Sequence, residues 1–343
     1  MDFVAAIGWF RARHAIAAAL ALMLPAIASS LVGPPPADLA LPPAIPIPTW
    51  PLENVPDGSF AKPDYEGTTR PDYIGRIIVS VMVNDQGPFP FALDTGANRT
   101  VVSPQLVAAL GLHCDGDAVT MHGATGSAEV PTVLVERIAA GDVVLERQQL
   151  PVADAMTSGI YGILGVDGLA SKRIIVDFTH HRIDIRNARH RWPMGSAMRI
   201  PAQLRFGRLV VVDAYVEGIW VKAVIDTGSQ YTLGNRALYA ALSRSAAAKV
   251  PNTSIDVLGA TLAWQQGMRK PVGALKIGDV KAVRFNIVFG EFYVFNLWNL
   301  DTQPALLIGM DLIGRLDALV IDYDRHEVQM QPRGPSEQQL SLR

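Results

Sequence analysis

Two aspartates stand in identical tripeptides, Asp94-Thr95-Gly96 and Asp226-Thr227-Gly228. Two carboxyl groups held within hydrogen-bonding distance cannot both ionise comfortably, so such a pair shares one proton over a wide pH range. One member can then take a proton from a bridging water while the other, protonated, polarises a carbonyl. That chemistry is hydrolysis by directly activated water, with neither a metal nor a covalent intermediate. A pair of this kind titrates as a unit, so sequence assigns neither Asp94 nor Asp226 a fixed part as acid or base. The neighbours suit the task. Thr95 and Thr227 carry hydroxyls able to hydrogen-bond across the pair, and Gly96 and Gly228 let the backbone turn and bring its N–H groups to the carboxylates. Ala97 and Ser229 are small, as a crowded meeting of two loops requires.

One Asp-Thr-Gly is expected by chance about 0.1 times in a chain of this length, and alone it would read as a tight turn after a strand. What surrounds the two copies decides against chance. Gly75 to Val83 and Gly207 to Val216 are apolar runs of strand length, each followed across a glycine-containing turn by a second run, Pro90 to Leu93 or Val221 to Ile225, that enters the tripeptide. This pattern predicts a hairpin leading into each turn. Downstream, Ile138-Ala139-Ala140-Gly141-Asp142 corresponds to Leu275-Lys276-Ile277-Gly278-Asp279, and Ile163-Leu164-Gly165-Val166-Asp167 to Leu307-Ile308-Gly309-Met310-Asp311. A closing hairpin follows each, from Ile174 to Phe178 and from Leu319 to Tyr323. The same order of features in both halves is a tandem duplication of a small β-rich unit.

Few helices are expected. Ser103-Pro104 opens one that Gly111 ends, and residues 235–243 offer another at the equivalent place. Asp167 and Asp311 are expected to cap the short helices after them. The arginine-rich stretch 186–208, containing Pro193, Gly195 and Pro201, reads as a solvated linker, placed at residues 191–206 between lobes at 72–190 and 207–331.

Composition narrows the alternatives. With 343 residues, 49% of them hydrophobic, there is material for a substantial core, and a net charge of −2 with mixed signs argues against a nucleic-acid partner. The single cysteine, Cys114, excludes an internal disulfide framework and a cysteine-rich zinc site; in a turn-like stretch after a helix it reads as inert. His180-His181 falls at a hairpin turn, and no metal, phosphate-loop or dinucleotide motif is present, so no cofactor is expected.

The N-terminus reads as an export signal: Arg11, Arg13 and His14 precede the apolar run Ala15 to Ala28, with Ala26-Ile27-Ala28 suited to cleavage. Extension through Leu31 and Val32 leaves an uncleaved inner-membrane anchor as the alternative, and either implies a periplasmic or secreted protein. Residues 31–71, dense in proline, are expected to be an extended spacer or a propeptide-like arm. Residues 332–343 form a tail.

The paired Asp-Thr-Gly turns with Ile163-Leu164-Gly165 and Leu307-Ile308-Gly309 downstream resemble the aspartic peptidase superfamily, especially its bacterial retropepsin-like members, over residues 72–331. The resemblance implies an all-β fold of two tandem barrel-like lobes about a pseudo-twofold axis, with Asp94 and Asp226 meeting in the cleft between them. It implies a peptide or protein substrate, and a monomer acting as an intramolecular pseudo-dimer. The Gly165 and Gly309 segments would support the catalytic loops from beneath. It also implies a flap, a hairpin that closes over substrate. The matching residues are Val119 to Ser127, with His122, Gly123, Ala124 and Gly126 at the tip. In the second copy the equivalent, near Ile255 to Thr261, has fewer glycines and reads as less flap-like. The longer span from Asp226 to Gly309 places an insertion around residues 285–302, whose aromatics are expected to pack the lobe rather than line a pocket. A non-catalytic peptide-binding protein of the same fold, and a dimer pairing Asp94 with its own counterpart, stand as alternatives.

Overall fold

Period-two burial and tight turns organise more than half of the described residues into strands. The computed structural model describes residues 65–68, 75–140, 143–154, 159–188, 197–244 and 253–333. The N-terminal apolar segment, most of the proline-rich stretch and most of the tail lie outside the described residues. No helix among those described is long and apolar enough to cross a membrane.

The first lobe consists of β1 (Tyr65–Thr68), β2 (Ile78–Val83), β3 (Gln86–Leu93), β4 (Val101–Val102), α1 (Pro104–Ala109), β5 (Cys114–His122), β6 (Ser127–Ala140), β7 (Val143–Pro151), β8 (Gly162–Leu164), β9 (Lys172–Asp177) and β10 (Arg182–Asn187). The second repeats it: β11 (Met198–Arg205), β12 (Leu209–Val216), β13 (Ile219–Ile225), β14 (Leu233–Gly234), α2 (Arg236–Ser243), β15 (Thr253–Leu258), β16 (Trp264–Ile277), β17 (Val280–Phe289), α3 (Tyr293–Leu297), β18 (Ala305–Ile308), α4 (Met310–Ile313), β19 (Leu316–Asp322) and β20 (Glu327–Pro332). A 3₁₀ turn, Val166–Gly168, stands where α4 stands in the second copy. Only α3 has no counterpart among the described residues. It is the insertion expected around residues 285–302. Phe285, Phe289, Phe292, Phe295 and Trp298 are buried around it, as packing residues should be.

Local signals formed the two longer helices. Ser103 caps α1 by accepting from Leu106 N–H, and Gly111, at φ +61°, ends it with its N–H on the Ala108 carbonyl. Asn235 caps α2 by accepting from Leu238 N–H. Asp167 and Asp311 do not cap anything. Gly165 and Gly309 occupy the cap positions, and the aspartates lie in the first turn with their carboxylates committed elsewhere.

Two sheets result, one of 13 strands and one of 7. The smaller holds β2 to β8 of the first lobe. The larger joins the second lobe to a run in the order β1-β10-β9-β19-β20-β11, which takes three strands from each lobe. Its seam is the antiparallel pair β9–β19, with Leu319 opposite Val176 and Ile321 opposite Ile174, all buried.

This seam corrects two expectations. Tyr65–Thr68, read as spacer, pairs with β10, and Met198–Arg205, read as linker, pairs with both β12 and β20. β11 changes partner at Pro201, opposite β20 up to that residue and opposite β12 from Ala202 onward. A residue without an N–H is tolerated where one ladder ends and another begins. Cys114 also differs from expectation: it opens β5 rather than lying in a turn, and it is exposed.

Candidate active site

Each Asp-Thr-Gly turn begins where a buried strand ends. In the first lobe β3 lies parallel to β8, and Asp94 N–H donates to the Leu164 carbonyl at 3.0 Å. In the second β13 lies parallel to β18, and Asp226 N–H donates to the Ile308 carbonyl, also at 3.0 Å. Apolar side chains on these four strands, among them Leu93, Leu164, Ile225 and Ile308, are buried and fix each turn to its core.

The threonines then tie one turn to the other. Thr95 N–H donates to Thr227 Oγ1 and Thr227 N–H to Thr95 Oγ1, both at 3.1 Å. Each hydroxyl in turn donates across the interface at 2.8 Å, Thr95 to the Ile225 carbonyl and Thr227 to the Leu93 carbonyl. All four bonds are buried, and each satisfies a backbone group that has no ladder partner. Thr227→Val should therefore lower the unfolding free energy by about 2–4 kcal/mol, because it orphans Thr95 N–H and the Leu93 carbonyl together. Thr227→Ser keeps the hydroxyl and should stay within about 1 kcal/mol of the parent. Denaturant unfolding of the two variants checks both values.

The glycines admit the opposite carboxylates. A Cβ on Gly96 would fall on the Asp226 carboxyl group, and one on Gly228 on that of Asp94. Asp94 Oδ1 accepts from Gly96 N–H at 2.8 Å, and Asp226 Oδ1 accepts from Gly228 and Ser229 N–H at 2.8 and 3.1 Å. The two carboxyl groups thus face each other, each seated against the glycine of the opposite turn. Burial raises the pKa of both, and Asp226 goes further because the charge of Asp94 faces it. A pair with one shared proton is the outcome.

Beneath the turns run the Gly165 and Gly309 segments, as expected, but the threonines that fasten them were missed by sequence inspection. Thr100 and Thr232, each six residues after its aspartate, receive Gly165 and Gly309 N–H on their hydroxyl oxygens at 3.2 Å. They donate those hydroxyls at 2.7 Å to Asp167 and Asp311, which explains where the two supposed caps are spent. Burial raises the pKa of Asp311. Gly165 and Gly309 pass so close to the backbone of Arg99 and Tyr231 that a Cβ would lie 2.5 Å from the Arg99 carbonyl carbon and 2.5 Å from the Tyr231 carbonyl oxygen. The signal that could have found this support is the repetition of threonine at one offset in both copies.

His122, Gly123, Ala124 and Gly126 sit at the tip of the β5–β6 hairpin, closed by Gly123 N–H on the Gly126 carbonyl at 2.8 Å. The second lobe has a hairpin too, β15–β16, and the two tips touch: the Thr125 hydroxyl donates to the Ala263 carbonyl at 2.7 Å. The poor glycine content of the second segment misled; Leu262 supplies the turn at φ +59°. The inserted α3 meets the first tip as well. Val294 N–H donates to the Ala124 carbonyl at 3.2 Å, and Tyr293 Oη lies 2.9 Å from His122 Nδ1 with the rings stacked. Tyr293 is thus the one aromatic of the insertion with a task outside packing among those described.

Residues 79–167 and 212–312 each match a family model described as aspartyl protease. Together they cover more than half of the chain, one match per lobe. No curated protein matches the sequence.

Proposed function

Because the chain belongs to the aspartyl protease family, we propose that it is an endopeptidase whose single site is the Asp94–Asp226 pair. The observation that carries this is the facing carboxyl pair held by crossed threonines within one chain. A water between the carboxyls gives one proton to the ionised aspartate as its oxygen attacks the scissile carbonyl carbon. The protonated aspartate gives its proton to the carbonyl oxygen, leaving a neutral gem-diol. Collapse returns a hydroxyl proton to the pair, the nitrogen takes a proton from the other carboxyl, and the C–N bond breaks. The pair ends as it began, with one proton between two carboxyls.

The hairpin tips are the closing elements in this scheme, and the substrate is an extended peptide beneath them. A small apolar cluster of Val101, Ala153 and Ile163, packed against Ala97 next to the Asp94 turn and Met121 of β5, favours an apolar side chain beside the scissile bond. The experiment is digestion of a peptide library by the full chain in ¹⁸O-labelled water. One labelled oxygen should enter each new carboxyl terminus, and cleavage should resist chelators and thiol or serine reagents. A library left intact over the acid to neutral range would sink the proposal in favour of a non-catalytic peptide binder.

His122 and Tyr293 should matter for retention of substrate more than for chemistry. Tyr293→Phe keeps the stacked ring and loses one exposed hydrogen bond, about 0.5–1 kcal/mol. KM should rise about two- to fivefold with kcat nearly unchanged, as steady-state kinetics will report. The charge and apolar pattern of the N-terminal segment support an exported activity, free or tethered through residues 15–32.

A further inference from the structure

The pseudo-twofold that relates the two turns breaks down one residue away from the carboxyl groups. β2 and β3 pair with Ile78 opposite Ala92, and Leu93 N–H donates to the Ile77 carbonyl, so the next residue back, Arg76, comes opposite Asp94. In the second lobe Val211 pairs with Val224, and the same count brings Leu209 opposite Asp226. Both are buried: Arg76 is 5% exposed and Leu209 1%. One aspartate thus faces a buried cation where the other faces a buried aliphatic chain.

A second substitution lies in the same sense. Tyr323, next to the end of β19, corresponds to Phe178, next to the end of β9. Its hydroxyl is buried with no hydrogen-bond partner among the described residues, and it lies in the field of Asp94. Burial keeps the phenol neutral, with its pKa raised far above the ordinary value. Among the described residues, the titratable groups that face Asp94 are therefore Asp226, Arg76 and Tyr323, and Arg76 is the cation of the three.

We propose that Arg76 polarises the pair, so that Asp94 is the carboxylate that takes the proton from water and Asp226 is the acid that donates to the scissile carbonyl. This rests on the peptidase reading for its chemistry, though the position of the proton is a property of the folded chain alone. A guanidinium stays charged when buried, and at low effective dielectric an opposite charge close by favours the ionised form of the carboxyl it faces. Asp226, with Leu209 opposite and the Asp94 charge beside it, is left to hold the proton. Arg76 acts through Asp94 and touches no reacting atom in this scheme.

Two measurements on the full chain decide it. The first is the pH profile of kcat/KM for a cleaved library peptide. Arg76→Met should move the acid limb upward by on the order of one pH unit, since Asp94 then ionises less readily, and Arg76→Lys should restore most of that shift. A role in packing alone would lower stability in both variants and leave the acid limb in place, and that result would overturn the proposal. The second uses ¹³Cγ-labelled aspartate, with the pair's signals assigned through Asp94→Asn and Asp226→Asn. In the parent chain at neutral pH, Asp94 should show a carboxylate shift and Asp226 a carboxylic-acid shift; the reverse order, or equal shifts, would refute it. The spectrum needs no turnover. Lack of cleavage would thus defeat the peptidase reading while the location of the proton is still read out, and the parent spectrum also decides the matter if Arg76→Met does not fold.

Discussion

Replacement of either Asp94 or Asp226 by asparagine should lower kcat for peptide cleavage by about 10³–10⁴-fold while leaving the fold in place. Asparagine keeps an oxygen that can accept from Gly96 N–H, or from Gly228 and Ser229 N–H, so the turns retain their hydrogen bonds. What is lost is the shared proton, and with it both the base and the acid. The double variant should be no worse than either single one, because two groups acting as a unit are not additive. Stability should respond with the opposite sign. Both carboxyls bind a proton more tightly in the folded chain than in the unfolded one, since burial raises them. Their contribution is therefore fully present below the ordinary carboxylate range and is lost as pH rises through the folded values. At neutral pH the Asp226→Asn protein should melt no lower than the parent, and its melting temperature should fall less between acid and neutral pH. Single variants with near-parental kcat would rule out the shared pair.

The second large effect is expected at the seam between lobes, at Asp322. Its Oδ2 accepts from Arg173 Nε and Nη2 at 2.9 and 2.6 Å and from Arg325 Nη1 at 3.1 Å, with Asp322 and Arg173 only 1% and 3% exposed. Oδ1 accepts from Asp324 and Arg325 N–H, which shapes the turn into β20. Arg173 belongs to β9 and Asp322 to β19, paired directly across the seam between lobes. Asp322→Ala should cost about 3–5 kcal/mol, since it takes the Asp322 carboxylate away from a buried guanidinium. Replacing both partners together, Arg173→Met with Asp322→Leu, should recover much of that loss, because the uncompensated buried charge and not the missing attraction dominates the penalty. Equilibrium denaturation of the three proteins measures this. A single variant within about 1 kcal/mol of the parent would mean that water reaches Arg173.

The parts legible in the sequence were those written in local residue choice or in repetition. Asp94, Asp226 and their threonines and glycines repeat, and the caps at Ser103 and Asn235 need only a neighbouring N–H. Elements whose reason lies across the fold were harder. Residues 198–205 do alternate Met198, Ile200, Ala202 and Leu204 with polar neighbours, a strand signature, but arginine density and Pro201 outweighed it. Tyr65–Thr68 carries no pattern of its own and is a strand because β10 offers an edge. Asp167 and Asp311 bear the marks of caps, and only the approach of Thr100 and Thr232 redirects them. Nothing in the order of residues announces that Arg76 lies opposite Asp94, since that register depends on the hairpin between β2 and β3.

The six-strand run that holds this seam has a consequence for descent as well as for assembly. Where two identical chains build such a site by association, one gene writes both flanks, and a change beside one aspartate must appear beside the other. Here the halves are joined through backbone pairing in a single chain, so each flank is free to drift under its own selection. Arginine opposite one carboxyl and leucine opposite the other is a difference that two copies of one chain could not show.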